Sequence, residues 1–516
     1  MKQATLARRY LFKLLANMAS VPVYLVMEAI LPRALGPQMY GNFSFVTSVF
    51  QQLSGFLDMG TSTCFYNALS RRQREGGLVS FYARTMALVL FVMLAVGLAL
   101  LYPPLGELAL PGVPLWMAPF AALWGFLFWW SRVLRSMNDA IGATVRSELA
   151  RTVCSLAGVL ALLGLFASGT LNPWTLFAQQ YALMGGTALG FWLVMRGFWG
   201  PLPWRLPAAD ARAYRREFFD YSHPLLVQAL LSFLLLTAER WLLQWFDGSA
   251  EQGFYALSQK VSMACFLFVA AMTPLIMREL SIAWGREDKA AMGRLLTRFA
   301  PMLYVVAAYF SCFTVAEGDV LVRIFGGAAF AAAMVPVQIM ALYPVHQTCG
   351  QLAGSVFHAT GRTSTLRNVT ALECVYGFAT AWVMLAPAEY GGLHLGAVGL
   401  AIKTVAVQFV TANLCLWLAS RLVPFAFWRN LAHQIWSVGL LLALAWGCRT
   451  LTLALGLGDA TSLARFLVSG ILYSLLTATL CWLFPPLIGS TAQDLYEWRV
   501  RLQGGLAAAW RGLRGG

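Results

Sequence analysis

Runs of about 20 mostly apolar residues, each ended by a short cluster of proline, glycine and charge, recur along the whole 516-residue chain. A helix of about 20 residues crosses the hydrocarbon core of a bilayer. Fourteen such helices are predicted, near residues 10–31, 42–69, 80–102, 114–131, 152–168, 173–195, 222–246, 253–277, 299–316, 330–357, 366–387, 395–420, 430–456 and 462–485. The stretch from Glu28 to Arg72 shows the pattern: an apolar helix closes at Leu31, the chain turns through Arg33, Gly36, Pro37 and Gly41, a second apolar helix returns, and paired arginines end it. The expected fold is all-α and polytopic.

Composition agrees, with 59% apolar and 11% charged residues. The basic start MKQATLARRYLFKLL has no small-residue cleavage site, so the first helix is expected to stay in the product. Nine cysteines lie in or beside apolar segments without CxxC or Cys/His ligand spacing, which reads as packing and implies neither metal nor cofactor.

The +15 net charge changes the picture only through its placement. With an inner N-terminus, thirty of the 37 Lys and Arg fall in inner segments. Four (Arg33, Arg323, Arg449, Arg465) fall outside, and Arg240, Lys260 and Lys403 lie within helices. Positive residues concentrate on the cytoplasmic side of membrane proteins. A missed helix would scramble that alternation, so both termini are expected in the cytoplasm. Nucleic acid is excluded, because no basic domain exists for it to meet.

The charged, proline-rich segment 201–221 divides the chain into a first six-helix bundle (1–200) and a second (222–421), followed by two more helices (422–488) and a tail (489–516) that either lies on the inner leaflet or is solvated. A weak repeat fits this division: Glu28 precedes Gly41 in a Tyr-Gly-Asn-Phe, and Glu239 precedes Gly253 in a Gly-Phe-Tyr. Chance similarity of two hairpins is the competing explanation.

Seven ionisable residues lie inside the predicted helices: Glu28, Asp58, Glu239, Arg240, Lys260, Glu373 and Lys403, with His346 beside them in helix 10. Each costs roughly 2.5–3.5 kcal/mol at mid-helix on insertion scales, so the set must pair or line a wet cavity. Glu28 and Glu239 sit near outer helix ends, where headgroup contact or a clamp on a neighbouring helix competes with a cavity role. Glu239 and Arg240 project about 100° apart, so one at most faces the cavity squarely, and Lys260 is a candidate partner for Glu239. Asp58, near mid-helix, is the hardest to assign to packing. Arg240, Lys260 and Lys403 are the candidates for holding an anion. There is no GxxxxGK[ST], no HExxH and no long outer loop to carry catalytic groups, so transport without direct ATP hydrolysis is the reading that survives.

The segment LPRALGPQMYGNFSFVTSVFQQLSGFLDMGTSTCFYNALSRR resembles the helix 1 to helix 2 region of Wzx-type polysaccharide flippases, with their Leu-Gly-x-x-x-Tyr-Gly turn and mid-helix Asp-x-Gly. AERWLLQWFDGSAEQGFYALSQKVSMACFLFVAAMTPLIMREL is similar to their helix 7–8 hairpin, and FHATGRTSTLRNVTALECVYG to their inner turn between helices 10 and 11. The resemblance implies the superfamily that also holds MATE exporters and MurJ-like flippases: two six-helix bundles around a central cavity, alternating access, and frequent coupling to H⁺ or Na⁺. It implies Asp58, Glu239, Arg240 and Lys260 at the cavity. The acids of helices 1 and 2, where MurJ-like proteins carry arginines, argue against lipid II as the cargo. The function so implied is translocation of a polyprenyl-pyrophosphate-linked oligosaccharide, alongside other polysaccharide-assembly proteins, with Arg71, Arg72 and Arg278 at the cytoplasmic entrance. A MATE-like antiporter of amphipathic cations, or a non-transporting scaffold for a polysaccharide synthase, are the rivals.

Overall fold

In the computed structural model, residues 6–199, 202–203, 205–270, 272–459 and 462–489 are described; the tail expected at 489–516 lies outside them beyond Gly489. No strand occurs among the described residues, and each predicted apolar segment falls largely on helix. Among the described residues, nine helical spans are long and apolar enough to cross a membrane.

The chain packs as two compact units. The first takes Met1–Lys260, Ile324–Ala333 and Thr370–Lys403. It contains α1 (Leu6–Asp58), α2 (Thr61–Arg71), α3 (Gly76–Ala99), α4 (Pro103–Ala109), α5 (Met117–Ala140), α6 (Thr144–Ala167), α7 (Pro173–Met195) and most of α8 (Ala208–Ala270). The predicted linker 201–221 is thus helical from Ala208 onward, and the packing unit runs past it to Lys260.

Both α1 and α8 are two helices joined at a glycine. Gly36 has φ 70°, ψ 170° and Gly248 has φ 79°, ψ −171°, backbone that side chains with a Cβ rarely adopt. Pro37 reinforces the first kink, since the residue before a proline is kept out of the helical region. Five residues beyond each kink stand Gly41 and Gly253, at a reciprocal crossing. A Cβ on Gly41 would collide with the Ser249 carbonyl, and one on Gly253 with the Pro37 carbonyl. Ser249 Oγ donates to Asn42 Oδ1 at 2.5 Å across the same crossing. The two stretches noted as a weak repeat are therefore equivalent elements packed on one another inside one unit.

The second unit, Val261–Arg323, Met334–Val369 and Thr404–Gly516, is built around α10 (Lys289–Ala316). Against it pack α9 (Thr273–Gly285), α13 (Tyr343–Ala359) and α16 (Phe427–Ala454), through buried Leu296, Tyr304, Ala308, Val345, Leu352 and Leu441. Also present are α11 (Gly318–Phe325), α12 (Met334–Met340) and α17 (Leu463–Leu483), while α14 (Thr363–Leu385) and α15 (Gly396–Ser420) give residues to each unit. More than half of the most apolar stretch of α10 is buried, the largest share for any such helix among the described residues.

Candidate functional site

A polar cavity of about 170 Å³ lies inside the first unit, walled by α1, α5, α7 and α8. Its charged residues are Glu28, Arg240 and Lys260, and its neutral polar walls include Ser44, Gln51 and Gln180. The kinks at Gly36 and Gly248 create it, by letting each hairpin place polar residues from both arms on one side.

Lys260 Nζ donates to Glu28 Oε1 at 2.6 Å, with Glu28 buried and Lys260 half-exposed. Lys260 therefore pairs with Glu28 and not with Glu239, its candidate partner from sequence. Glu239 instead takes the ammonium of Lys403, and that pair is buried on both sides. Arg240 is 8% exposed. Its guanidinium donates to Gln252 Oε1 at 3.0 Å and to Gln259, and lies 4.8 Å from the centre of the Tyr255 ring. These acceptors are neutral. The cavity wall thus carries one carboxylate against two cations, one of them held by two amides and an aromatic ring.

Asp58 does not line this cavity. Helix α1 ends at Asp58, the chain passes Met59 (φ 44°) and Gly60 (φ 78°), and α2 begins at Thr61. The Asp58 carboxylate accepts from Ser62 N at 3.1 Å, Ser62 Oγ at 2.7 Å, Thr61 Oγ1 at 3.2 Å and Trp129 Nε1 at 3.1 Å. It restarts the helix, as capping side chains do. Glu373 is half-buried on α14 and His346 packs against the Tyr304 and Phe409 rings, neither of them at the cavity.

Of the arginines expected at the entrance, Arg71 is exposed. Arg72 is held by Glu217 at 2.7 Å and Glu75 at 3.3 Å, and Arg278 by Glu279 at 2.6 Å. Glu75 also accepts from Tyr214, whose phenol is pushed up to about 12 by burial and by that hydrogen bond.

One cluster escaped the sequence reading. Arg449 and Arg465, read as outer-side charges, belong to α16 and α17, and Arg465 is fully buried against fully buried Glu317. Ser469 Oγ donates to Glu317 Oε1 at 2.8 Å, and Arg449 donates to both Asp319 oxygens at 2.7 Å. Burial alone would raise the Asp319 carboxyl, but Arg449 holds it below its ordinary value, helped by the Val320 N–H and the more distant Arg465. Nothing local signals this network, because each residue sits at a helix end where a solvated charge is ordinary.

An all-helical membrane chain with glycine-kinked hairpins around an internal polar cavity is the architecture of a membrane transporter. Residues 6–276, just over half of the chain, match the profile of the family described as polysaccharide biosynthesis protein. The chain belongs to that family, that of the Wzx-type flippases. Among solved structures it is similar to the lipid II flippase MurJ in an inward closed conformation, at 11% identity, with 91% of this chain and 98% of that one covered and a TM-score of 0.66. It is similar to an inward-facing multidrug resistance MATE family transporter of the MOP superfamily, at 14% identity, 80% and 97% coverage and a TM-score of 0.60. A third is a MOP superfamily transporter from Pyrococcus furiosus whose binding pocket is described as of reverse polarity, at 13% identity, 80% and 95% coverage and a TM-score of 0.52. These likenesses are of fold. No curated protein sequence matches. The protein is a multi-pass membrane transporter of the flippase type.

Proposed function

We propose that the protein moves a polyprenyl-pyrophosphate-linked oligosaccharide from the inner to the outer leaflet of the bacterial cytoplasmic membrane, for assembly of a surface polysaccharide. The observation that carries this reading is Arg240: a desolvated guanidinium with amide acceptors, at a cavity whose charged walls sum to one positive charge. A buried cation without a carboxylate favours an anionic cargo. Amides, hydroxyls and the Trp124 indole in the same walls suit sugar hydroxyls. An exporter of cations would gain nothing from that excess.

In this reading Arg71, Arg72 and Arg278 draw the pyrophosphate to the cytoplasmic mouth, and Arg240, Lys260 and Lys403 screen it in passage. Fourteen helices cross the membrane with both termini inside, as two bundles (1–200 and 222–421) and two further helices. A negative-inside potential drives each exported negative charge by about 2.3 kcal/mol per 100 mV. Glu28 is the carboxylate at the cavity wall available for sugar contacts or for H⁺ or Na⁺ in the return step.

The test is Arg240→Gln, scored as surface polysaccharide at matched protein level. At least a tenfold loss is expected. Unchanged export rejects the anion role, and loss of cation-dye resistance with polysaccharide intact transfers the assignment to a cation antiporter.

A further inference from the structure

A second cavity, of about 440 Å³, lies in the second unit at the arginine-bearing ends of α10 and α16, beside the 3-10 turn Pro485–Ile488. It takes no part in the transport reading. Its walls combine Pro301, Phe425 and Trp436 with Arg429, Asn430 and His433.

Two of these polar side chains are spent incompletely. Asn430 is 7% exposed and its Nδ2 has no hydrogen-bond partner, and His433 is 9% exposed with Nδ1 in the same condition. A buried donor or acceptor left unpaired is costly, so both atoms are placed to meet a ligand. The roles are fixed by geometry. His433 Nε2 lies 2.8 Å from the Leu487 carbonyl, so in the neutral ring Nε2 carries the proton and Nδ1 accepts. Asn430 Nδ2 donates.

The cavity also lies at the start of α16, a 28-residue helix with no side-chain cap and no acidic residue in its first turn. Helix N-termini attract anions. Arg429 adds an exposed guanidinium in that turn. Trp428 and Ile435 on the same helix are 75% and 65% exposed, an apolar surface of the kind that acyl chains cover, and tryptophan concentrates where acyl chains meet headgroups.

We propose that this cavity binds the headgroup of an anionic membrane phospholipid that carries a hydroxyl, its phosphate on Arg429 and Asn430 Nδ2 and its hydroxyl donating to His433 Nδ1. A free inorganic ion would satisfy the donors but leave the aromatic and proline walls without an occupant; a lipid fills both.

Native mass spectrometry and thermal melting of the purified full chain test this with phosphatidylglycerol, phosphatidylcholine and inorganic phosphate as separate probes. Phosphatidylglycerol is expected to stay bound and to raise the melting temperature by several degrees, with apparent affinity falling at least fivefold in Arg429→Gln and in Asn430→Ala. Arg429 is exposed, so R429Q keeps the test decisive even if N430A fails to fold. Equal retention by wild type and R429Q overturns the proposal. So does equal retention of phosphatidylcholine, which would mean nonspecific lipid, or an equal shift from inorganic phosphate, which would mean an ion site only.

Discussion

Lys260 and Glu28 stand 232 residues apart in sequence and meet at 2.6 Å in the wall of the polar cavity. The pair joins the two kinked hairpins, and Arg240 is held by the amides of Gln252 and Gln259, so the cavity has one cation paired with a carboxylate and one held by neutral acceptors. That difference separates their roles in mutation.

Glu28→Gln takes the carboxylate from the Lys260 ammonium and Lys260→Met leaves Glu28 in a poorly solvated wall, so each single change is expected to lower surface polysaccharide. If the pair only holds the hairpins together, the double variant recovers most of the loss. If Lys260 also touches cargo, the double variant stays as low as K260M. Polysaccharide measured at matched protein level across the four proteins decides between these.

Glu239 and Lys403 form a drier pair. Lys403→Met alone strands a buried carboxylate, a class of change that costs about 3–5 kcal/mol. Folded protein recovered after detergent extraction should drop sharply for K403M and return in the E239Q/K403M double variant. Equal yields for K403M and wild type would show that Glu239 has another compensating partner.

Asp58 is expected to behave as a helix-restarting cap. Asp58→Asn keeps an acceptor oxygen for Ser62 N and Trp129 Nε1 and should leave export near wild type. Asp58→Ala removes all four bonds and should lower thermal stability by about 1–2 kcal/mol. Loss of export in D58N with unchanged melting would instead assign Asp58 to ion coupling.

Gly41→Val and Gly253→Val each drive a branched side chain into a carbonyl of the facing hairpin. Overpacking of this kind costs roughly 1–3 kcal/mol or more. Both variants should be recovered poorly and to similar extents, because the two positions are equivalent across the crossing. Normal size-exclusion profiles for either would remove the crossing as a structural requirement.

Asp247, at the turn between the arms of α8, lies 3.1 Å from His394. Burial pushes its carboxyl up to about 6; Glu251 adds to that and His394 works against it. A carboxyl raised above its ordinary value favours the fold when protonated, so this contribution is complete below pH about 4 and is lost as pH rises through about 6. Melting temperatures between pH 4 and 7.5 should fall over that window in wild type and fall less in Asp247→Asn. Superimposable curves would refute the assignment.

The sequence by itself determined what is local. Apolar runs specify helices, and Gly36-Pro37 with Gly41 announces a break between two of them, because each depends on neighbours within a few residues. The resemblance in the two hairpins pointed to the right family for the same reason, since turn chemistry is written in contiguous residues. Only the tertiary structure decided which charge meets which. Helices apolar on every side carry no periodic signal of the face that turns inward, and nothing in the chain order says that Lys260 takes Glu28 while Lys403 takes Glu239. It likewise buried Arg465 against Glu317 and turned Asp58 into a cap, because desolvation and pairing depend on distances across the fold, which spacing along the chain does not encode.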